Sequence, residues 1–329
     1  MTPVASSCCG RFAPSPTGDL HFGSLLAALA SCLAARAQGG RWLVRMEDAD
    51  APRNAPGAEA RILACLEAHG FHWDGEVLRQ SQRLEAYQAA LARLRDERRV
   101  YPCACSRKEI AAAATERAID GAWRYSGRCR RGLPTGRGAR VWRLCAEDVD
   151  IAFNDRIQGQ IRQNLARDVG DFVLRRADGR FAYQLMVVVD DAFQGVTQVV
   201  RGADLMNSTP RQIYLQRLLD LPTPEYAHIP IAANAAGEKL SKQTRAPPLR
   251  ARRAAANLVA ALAFLNQQPP SELAEASVEE IWRWASDLGR RWMEKLAPAP
   301  ASPASGRRES ASCGRAAPGC ADHPLSSVI

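Results

Sequence analysis

The sequence predicts an α/β fold: an open, mostly parallel sheet wound on both faces, with a small insert part-way along and a short helical extension after it. Three observations predict it. A glycine-containing turn from Arg11 to Ser24 (R-F-A-P-S-P-T-G-D-L-H-F-G-S) feeds a run of Ala- and Leu-rich helix formers, Leu25 to Ala37. Strand–helix–helix patterning follows that turn, and further apolar runs alternate with helix signals after Gly170. Between them, from about Val100 to Asp168, the chain turns to cysteines and arginines. The expected divisions are therefore 1–99 and 169–248 for two halves of one core, 100–168 for the insert, 249–296 for a helical extension and 297–329 for a tail.

At 329 residues, 47% hydrophobic and 24% charged, the chain has the balance of a globular protein. Its net charge of +9 is concentrated. Arg107 to Arg143 carries ten Lys/Arg against three Asp/Glu, and Lys239 to Arg253 carries six basic residues and no acid. Two basic stripes on an otherwise acidic chain point to a polyanionic partner, nucleic acid foremost. No apolar run approaches the roughly 18 residues of a membrane span, so no membrane partner is expected. No secretory signal is read in the opening residues, and the expected compartment is the reducing cytoplasm, where clustered cysteines read as metal ligands rather than disulfides.

Taken in order, the turn at Arg11–Ser24 presents backbone N–H groups and a positive helix end to an anion. Gly39-Gly40 stops the helix, and Arg41-Trp-Leu-Val-Arg-Met46 reads as a buried strand. Acids follow at the strand's carboxyl end, where open α/β sheets bind ligands; of these Glu47 is the functional candidate, and Asp48 and Asp50 read as caps of a helix near Pro52. Helical patterns cover Ala58–His69 and Gln82–Arg98, the second with Leu84, Tyr87, Leu91 and Leu94 on one face. Phe172–Arg176 is a short strand, Ala182–Asp190 an apolar segment, and Val196–Arg201 another strand. Ser208-Thr-Pro210 starts a helix, His228-Ile-Pro-Ile is a last strand, and a glycine-led loop then carries Lys239 and Lys242. Helices are expected near Arg252–Asn266 and Ser277–Leu288, the latter with a capping box of Ser277 and Glu280. From Ala297 onward small residues dominate without periodicity, so disorder is expected there.

Cys103, Cys105 and Cys129 form the beginning of a tetrahedral zinc site. No histidine occurs between His72 and His228, so the fourth ligand lies open between Tyr125 and Cys145.

Two distant elements, Pro14-Ser-Pro-Thr-Gly-x-x-His21-x-Gly23-Ser24 and Lys239-Leu-Ser-Lys242, form a pair at the two ends of the α/β domain. They resemble the HIGH and KMSKS signatures of class I aminoacyl-tRNA synthetases, and the R-F-A-P-S-P-T-G opening resembles the glutamyl branch. The resemblance implies a Rossmann-like catalytic core that adenylates glutamate: a carboxylate attacks the ATP α-phosphate and pyrophosphate leaves. His21 and Lys242 would be the catalytic pair, and Gly23, Ser24 and Lys239 would join them in binding ATP, which enters with Mg2+. Glutamate's second carboxylate calls for a guanidinium fork, for which Arg11 and Arg201 are the candidates. The glutamyl branch carries glutamate contacts to Arg11, Phe12, Ala13, Pro14, Ser15, Glu47, Tyr183 and Arg201.

After the lysine loop too little chain remains for a helical anticodon-binding domain. Together with Tyr-Pro-Cys-x-Cys-Ser, Tyr-x3-Cys and Lys-Leu-Ser-Lys-Gln, this makes the chain resemble the glutamyl-Q tRNA(Asp) synthetases, a short branch of the same family. That resemblance implies one structural Zn2+ on Cys103, Cys105, Tyr125 and Cys129. It also implies transfer of glutamate to the queuosine base in the anticodon stem-loop of tRNA(Asp); a monomer is expected. The alternatives are a truncated glutamyl-tRNA synthetase charging a tRNA 3′ end and a catalytically silent RNA-binding paralogue.

Overall fold

The computed structural model describes residues 8–232 and 247–288. Lys239, Lys242 and the tail expected to be disordered lie outside the described residues.

The first half of the core runs β1 (Cys9–Phe12), α1 (Phe22–Arg36), β2 (Arg41–Met46), α2 (Ala58–Ala68), β3 (Leu78–Arg79) and α3 (Leu84–Asp96). The basic, cysteine-bearing segment contributes β4 (Val100–Cys103), α4 (Arg107–Ala113), β5 (Val141–Leu144) and the hairpin β6 (Asp150–Asp155) and β7 (Gly159–Asn164). Then come β8 (Phe172–Arg175), α5 (Tyr183–Phe193), β9 (Gln198–Gly202), α6 (Thr209–Leu218) and β10 (Glu225–Ile229). Helices α7 (Ala254–Phe264) and α8 (Val278–Asp287) close the described chain.

β2 pairs in parallel with β1 on one side and β3 on the other, and β9 pairs in parallel with β10. The two groups meet where Thr197, just ahead of β9, donates its amide to the Cys9 carbonyl at 2.9 Å. The order across the core is thus β3-β2-β1-β9-β10, and the chain changes direction across the sheet between β1 and β9. In open α/β sheets the ligand crevice lies at the carboxyl ends of the strands beside such a switch.

Helix α1 covers that junction, packing on β1, β2 and β9. Its Ala-rich sequence is buried on nearly every side, Leu25, Ala28, Leu29 and Ala35 being at most 1% exposed. Each fully buried leucine contributes about 1.5–3 kcal/mol. The approach is close because Gly10 has no side chain: a Cβ there would stand 3.1 Å from the Ala35 Cβ. Trp42 closes the layer beneath, its indole N–H on the Ser31 hydroxyl at 2.9 Å and its ring stacked on Phe71. In α8 the Ser277–Glu280 capping box is present, and Ile281 and Ala285 bury against the core.

Three expectations are corrected. Leu84 is 50% exposed, so the buried face of α3 consists of Tyr87, Leu91 and Leu94 alone. Asp48 and Asp50 do not cap: Asp48 accepts from the Ser81 amide and hydroxyl, and Asp50 pairs with Arg53 and Arg176. The strand at Phe172 does not resume the parallel sheet; β8 pairs antiparallel with β5, which pairs antiparallel with β4. The β6–β7 hairpin packs on the core, Arg156 donating its amide to the Tyr226 carbonyl at 2.9 Å.

Candidate active site

A cleft of about 490 Å3 opens at the carboxyl ends of β1, β9 and β10, beside the N-terminus of α1. Arg11, Phe12, Ala13, Ser15, His21, Gly23, Ser24, Glu47, Tyr183 and Arg201 all line it. Residues from five separate elements are thus brought together. Pro14 does not line the cleft; its carbonyl accepts the Glu47 amide at 2.9 Å and so holds the acid beside the turn. Phe12 is 6% exposed and stacks on Trp42, which makes it mainly a wedge under the floor.

His21 is the N-cap of α1. Its Nδ1 accepts the Ser24 amide at 3.3 Å, while the Ser24 hydroxyl lies 3.5 Å from the His21 amide. A neutral imidazole that accepts at Nδ1 carries its proton on Nε2, so His21 is a donor on the side turned from its own helix. The flanks of the lysine loop also converge here: Ala232 lines the cleft, Pro248 pairs with His21, and Leu249 donates to the Leu20 carbonyl at 2.8 Å.

Two buried arginines face the cleft, each fixed by a different device. Arg11 is 4% exposed and forks onto Asp191, Nε at 3.1 Å and Nη2 at 3.4 Å. The same carboxylate takes Arg45 Nη1 at 2.7 Å, and Arg45 reaches Glu47 at 3.5 Å. Burial pushes the Asp191 carboxyl up, but the guanidiniums of Arg11 and Arg45 outweigh it and hold the group below the usual carboxylate range. For Glu47 the balance is reversed: burial dominates, Arg45 and Arg11 compensate only in part, and its carboxyl sits above the ordinary value. Glu47 is therefore a carboxylate short of compensation, a place for an ammonium group.

Arg201, 5% exposed, spends its donors on four partners. Nε meets His228 Nε2 at 3.1 Å, Nη1 meets the Tyr183 hydroxyl at 3.1 Å, and Nη2 meets Thr209 at 2.7 Å and Gln212 at 2.8 Å. Tyr183 begins α5; the apolar Ala182–Asp190 segment is this helix. Further along it, Asp190 takes Gln80, Arg83 and Tyr87 at 3.0, 3.0 and 2.6 Å, while the adjacent Asp191 turns to Arg11 and Arg45. Sequence reasoning passed over Arg45, Asp191, Thr209, Gln212, His228 and Asp155. The adjacent acids in an apolar run, Asp190-Asp191, were the one visible signal, since buried carboxylates require partners.

The thiols of Cys103, Cys105 and Cys129 are buried and mutually within 4.8 Å. Cys105 and Cys129 stand 3.7 Å apart, and the Tyr125 hydroxyl is 3.4 Å from Cys103 and 3.6 Å from Cys105. Tetrahedral zinc with sulfur at about 2.3 Å and oxygen at about 2.0 Å requires edges of about 3.8 Å between sulfurs and about 3.5 Å from sulfur to oxygen. The donor set fits that ion. Cys145 lies elsewhere, its amide on the Arg99 carbonyl at 3.0 Å.

The family described as tRNA synthetases class I (E and Q), catalytic domain, matches residues 8–250. A glutamyl-Q tRNA(Asp) synthetase of Dechloromonas aromatica is 62% identical over 283 residues, covering 86% of this chain and 93% of that protein. One from Thiobacillus denitrificans is 60% identical over 286 residues, covering 87% of this chain and 94% of its own. Among solved structures, a glutamate tRNA ligase from Elizabethkingia meningosepticum in complex with its amino acid superposes with a TM-score of 0.62 at 28% identity. That match covers 72% of this chain and 52% of the ligase, so the chain spans about half the ligase's length.

Proposed function

The chain belongs to the class I tRNA synthetases of the E and Q type, in their glutamyl-Q tRNA(Asp) branch, and from that membership we infer an enzyme that activates L-glutamate with ATP and transfers it to queuosine in tRNA(Asp). The observation that carries the amino-acid half of this reading is the cleft itself. It offers two buried guanidiniums, Arg11 and Arg201, and one under-compensated carboxylate, Glu47. Glutamate has the complementary set: two carboxylates and an ammonium.

In the first step a glutamate α-carboxylate oxygen attacks the ATP α-phosphorus, the bond to the β-phosphate bridge breaks, and pyrophosphate leaves with the electron pair. Mg2+ entering with ATP would neutralise part of the phosphate charge. The His21 Nε2 proton and the α1 N-terminus supply donors where charge builds on phosphate oxygens. We assign Lys239 and Lys242 to the pyrophosphate side. In the second step a queuosine hydroxyl attacks the glutamyl carbonyl, forming an ester and releasing AMP. The basic stripes at 107–143 and 239–253 suit the phosphates of the anticodon stem-loop. We place the reaction in the cytoplasm.

Labelled glutamate tests the acceptor. The label is expected on tRNA(Asp) carrying queuosine, stable to removal of the 3′-terminal adenosine, and absent from queuosine-free tRNA. Equal labelling of queuosine-free tRNA would sink the reading in favour of 3′-end charging.

Zn2+ on Cys103, Cys105, Cys129 and Tyr125 would tie β4 to the loop before β5 and so hold the basic face in shape. Metal analysis of purified protein is expected to give one zinc per chain. Cys145→Ser should leave that content unchanged, and Cys129→Ala should abolish it.

A further inference from the structure

We propose that Asp155, carried by the β6–β7 hairpin, positions Arg201 for glutamate by way of His228. The proposal rests on the reading of Arg201 as a glutamate ligand. Neither His228 nor Asp155 lines the cleft, and the cleft side chain that His228 touches is Arg201.

His228 is 0% exposed, with Nε2 3.1 Å from Arg201 Nε and Nδ1 2.6 Å from Asp155 Oδ2. A guanidinium only donates, so Nε2 accepts and the single ring proton sits on Nδ1, donated to Asp155. Asp155 has no freedom to turn. Its Oδ1 takes the amides of Ile157, Gln158 and His228 at 3.0, 2.9 and 3.1 Å. Gln158 adds a bond to the His228 carbonyl at 2.8 Å, fastening the hairpin along β10. The groups facing the imidazole are Arg201, Asp155, Thr209 and the stacked Tyr226 ring, with Asp204 acting at longer range. Burial and Arg201 oppose a second proton more than Asp155 favours it, and the ring stays neutral. With Nε on His228 and Nη2 on Thr209 and Gln212, the fork is held along two edges, and Nη1 is left at the cleft beside Tyr183.

The test is ATP–pyrophosphate exchange with glutamate and ATP varied separately. In His228→Asn the side chain reaches Asp155 but no longer Arg201, and the glutamate KM is expected to rise about tenfold or more, with the ATP KM within about threefold. In His228→Gln an amide oxygen replaces Nε2 as acceptor, and the glutamate KM is expected to return to within about threefold of the parent. Asp155→Asn keeps its oxygen on the three amides and turns N–H at Nδ1. That drives the ring proton onto Nε2 against Arg201, and the KM should rise as in His228→Asn. Equal glutamate KM in the Asn and Gln variants at position 228, or an unchanged KM in Asp155→Asn, overturns the positioning role. An unchanged glutamate KM in Arg201→Lys overturns the underlying reading instead.

Discussion

Asp191→Asn is expected to lower the free energy of unfolding by about 3–5 kcal/mol, because it leaves two buried guanidiniums facing a neutral amide. Arg11 and Arg45 are 4% and 0% exposed, and the Asp191 carboxylate is shared between them. Neither arginine can shed its proton, and Glu47, 3.5 Å from Arg45, is the carboxylate left beside them. Urea unfolding of the parent and variant measures it. A loss below about 1 kcal/mol would place the Arg11–Asp191–Arg45 group among surface-like pairs and refute the expectation. The pH dependence has a definite sign. The folded pKa of Asp191 is depressed, so its contribution is complete above the ordinary carboxylate range and is lost as pH falls through the folded value. The difference between parent and variant should therefore shrink only in acid. Arg11 is also a cleft residue, so the variant should lose glutamate affinity along with stability.

His21→Asn is expected to slow ATP–pyrophosphate exchange by about 10²–10³-fold, equivalent to about 2.7–4 kcal/mol of transition-state stabilisation. Asparagine is chosen because its side-chain oxygen can still accept the Ser24 amide and preserve the cap, whose loss alone costs about 0.5–2 kcal/mol. What Asn cannot supply is the donor on the far side of the ring, at the Nε2 position. An interaction made only in the transition state lowers kcat with the glutamate KM unchanged. If kcat holds and KM rises instead, His21 is a ground-state contact. If neither moves, it is only a cap.

How far the sequence revealed this molecule depends on the kind of force involved. β2 was legible because Arg41–Met46 is one buried apolar run bounded by Gly40 and acids, and α8 because the Ser277–Glu280 box is local chemistry. Helix α5 was not: Leu185 to Val189 is rich in β-branched residues, and burial in the core overrides their weak preference for strand. Leu84 shows the converse, an apolar residue on the helical stripe that the fold leaves in solvent. The antiparallel placement of β8 depends on partners 30 residues back, which periodicity does not record. In the site, the residues that face the ligand were visible through motif and charge. Those that hold them, such as His228 and Asp191, were not, because a contact spanning 27 or 180 residues leaves no local pattern.

The adjacent acids of α5 key that helix in rotation. Asp190 is drawn toward α3 and Asp191 toward the sheet, about 100° apart around the axis. Tyr183 stands seven residues before Asp190, two turns away and within about 20° of the same bearing. An insertion or deletion of one residue between them would swing the tyrosine by about 100° and shift it by about 1.5 Å, out of line with Arg201. The length of this segment should therefore tolerate no indels.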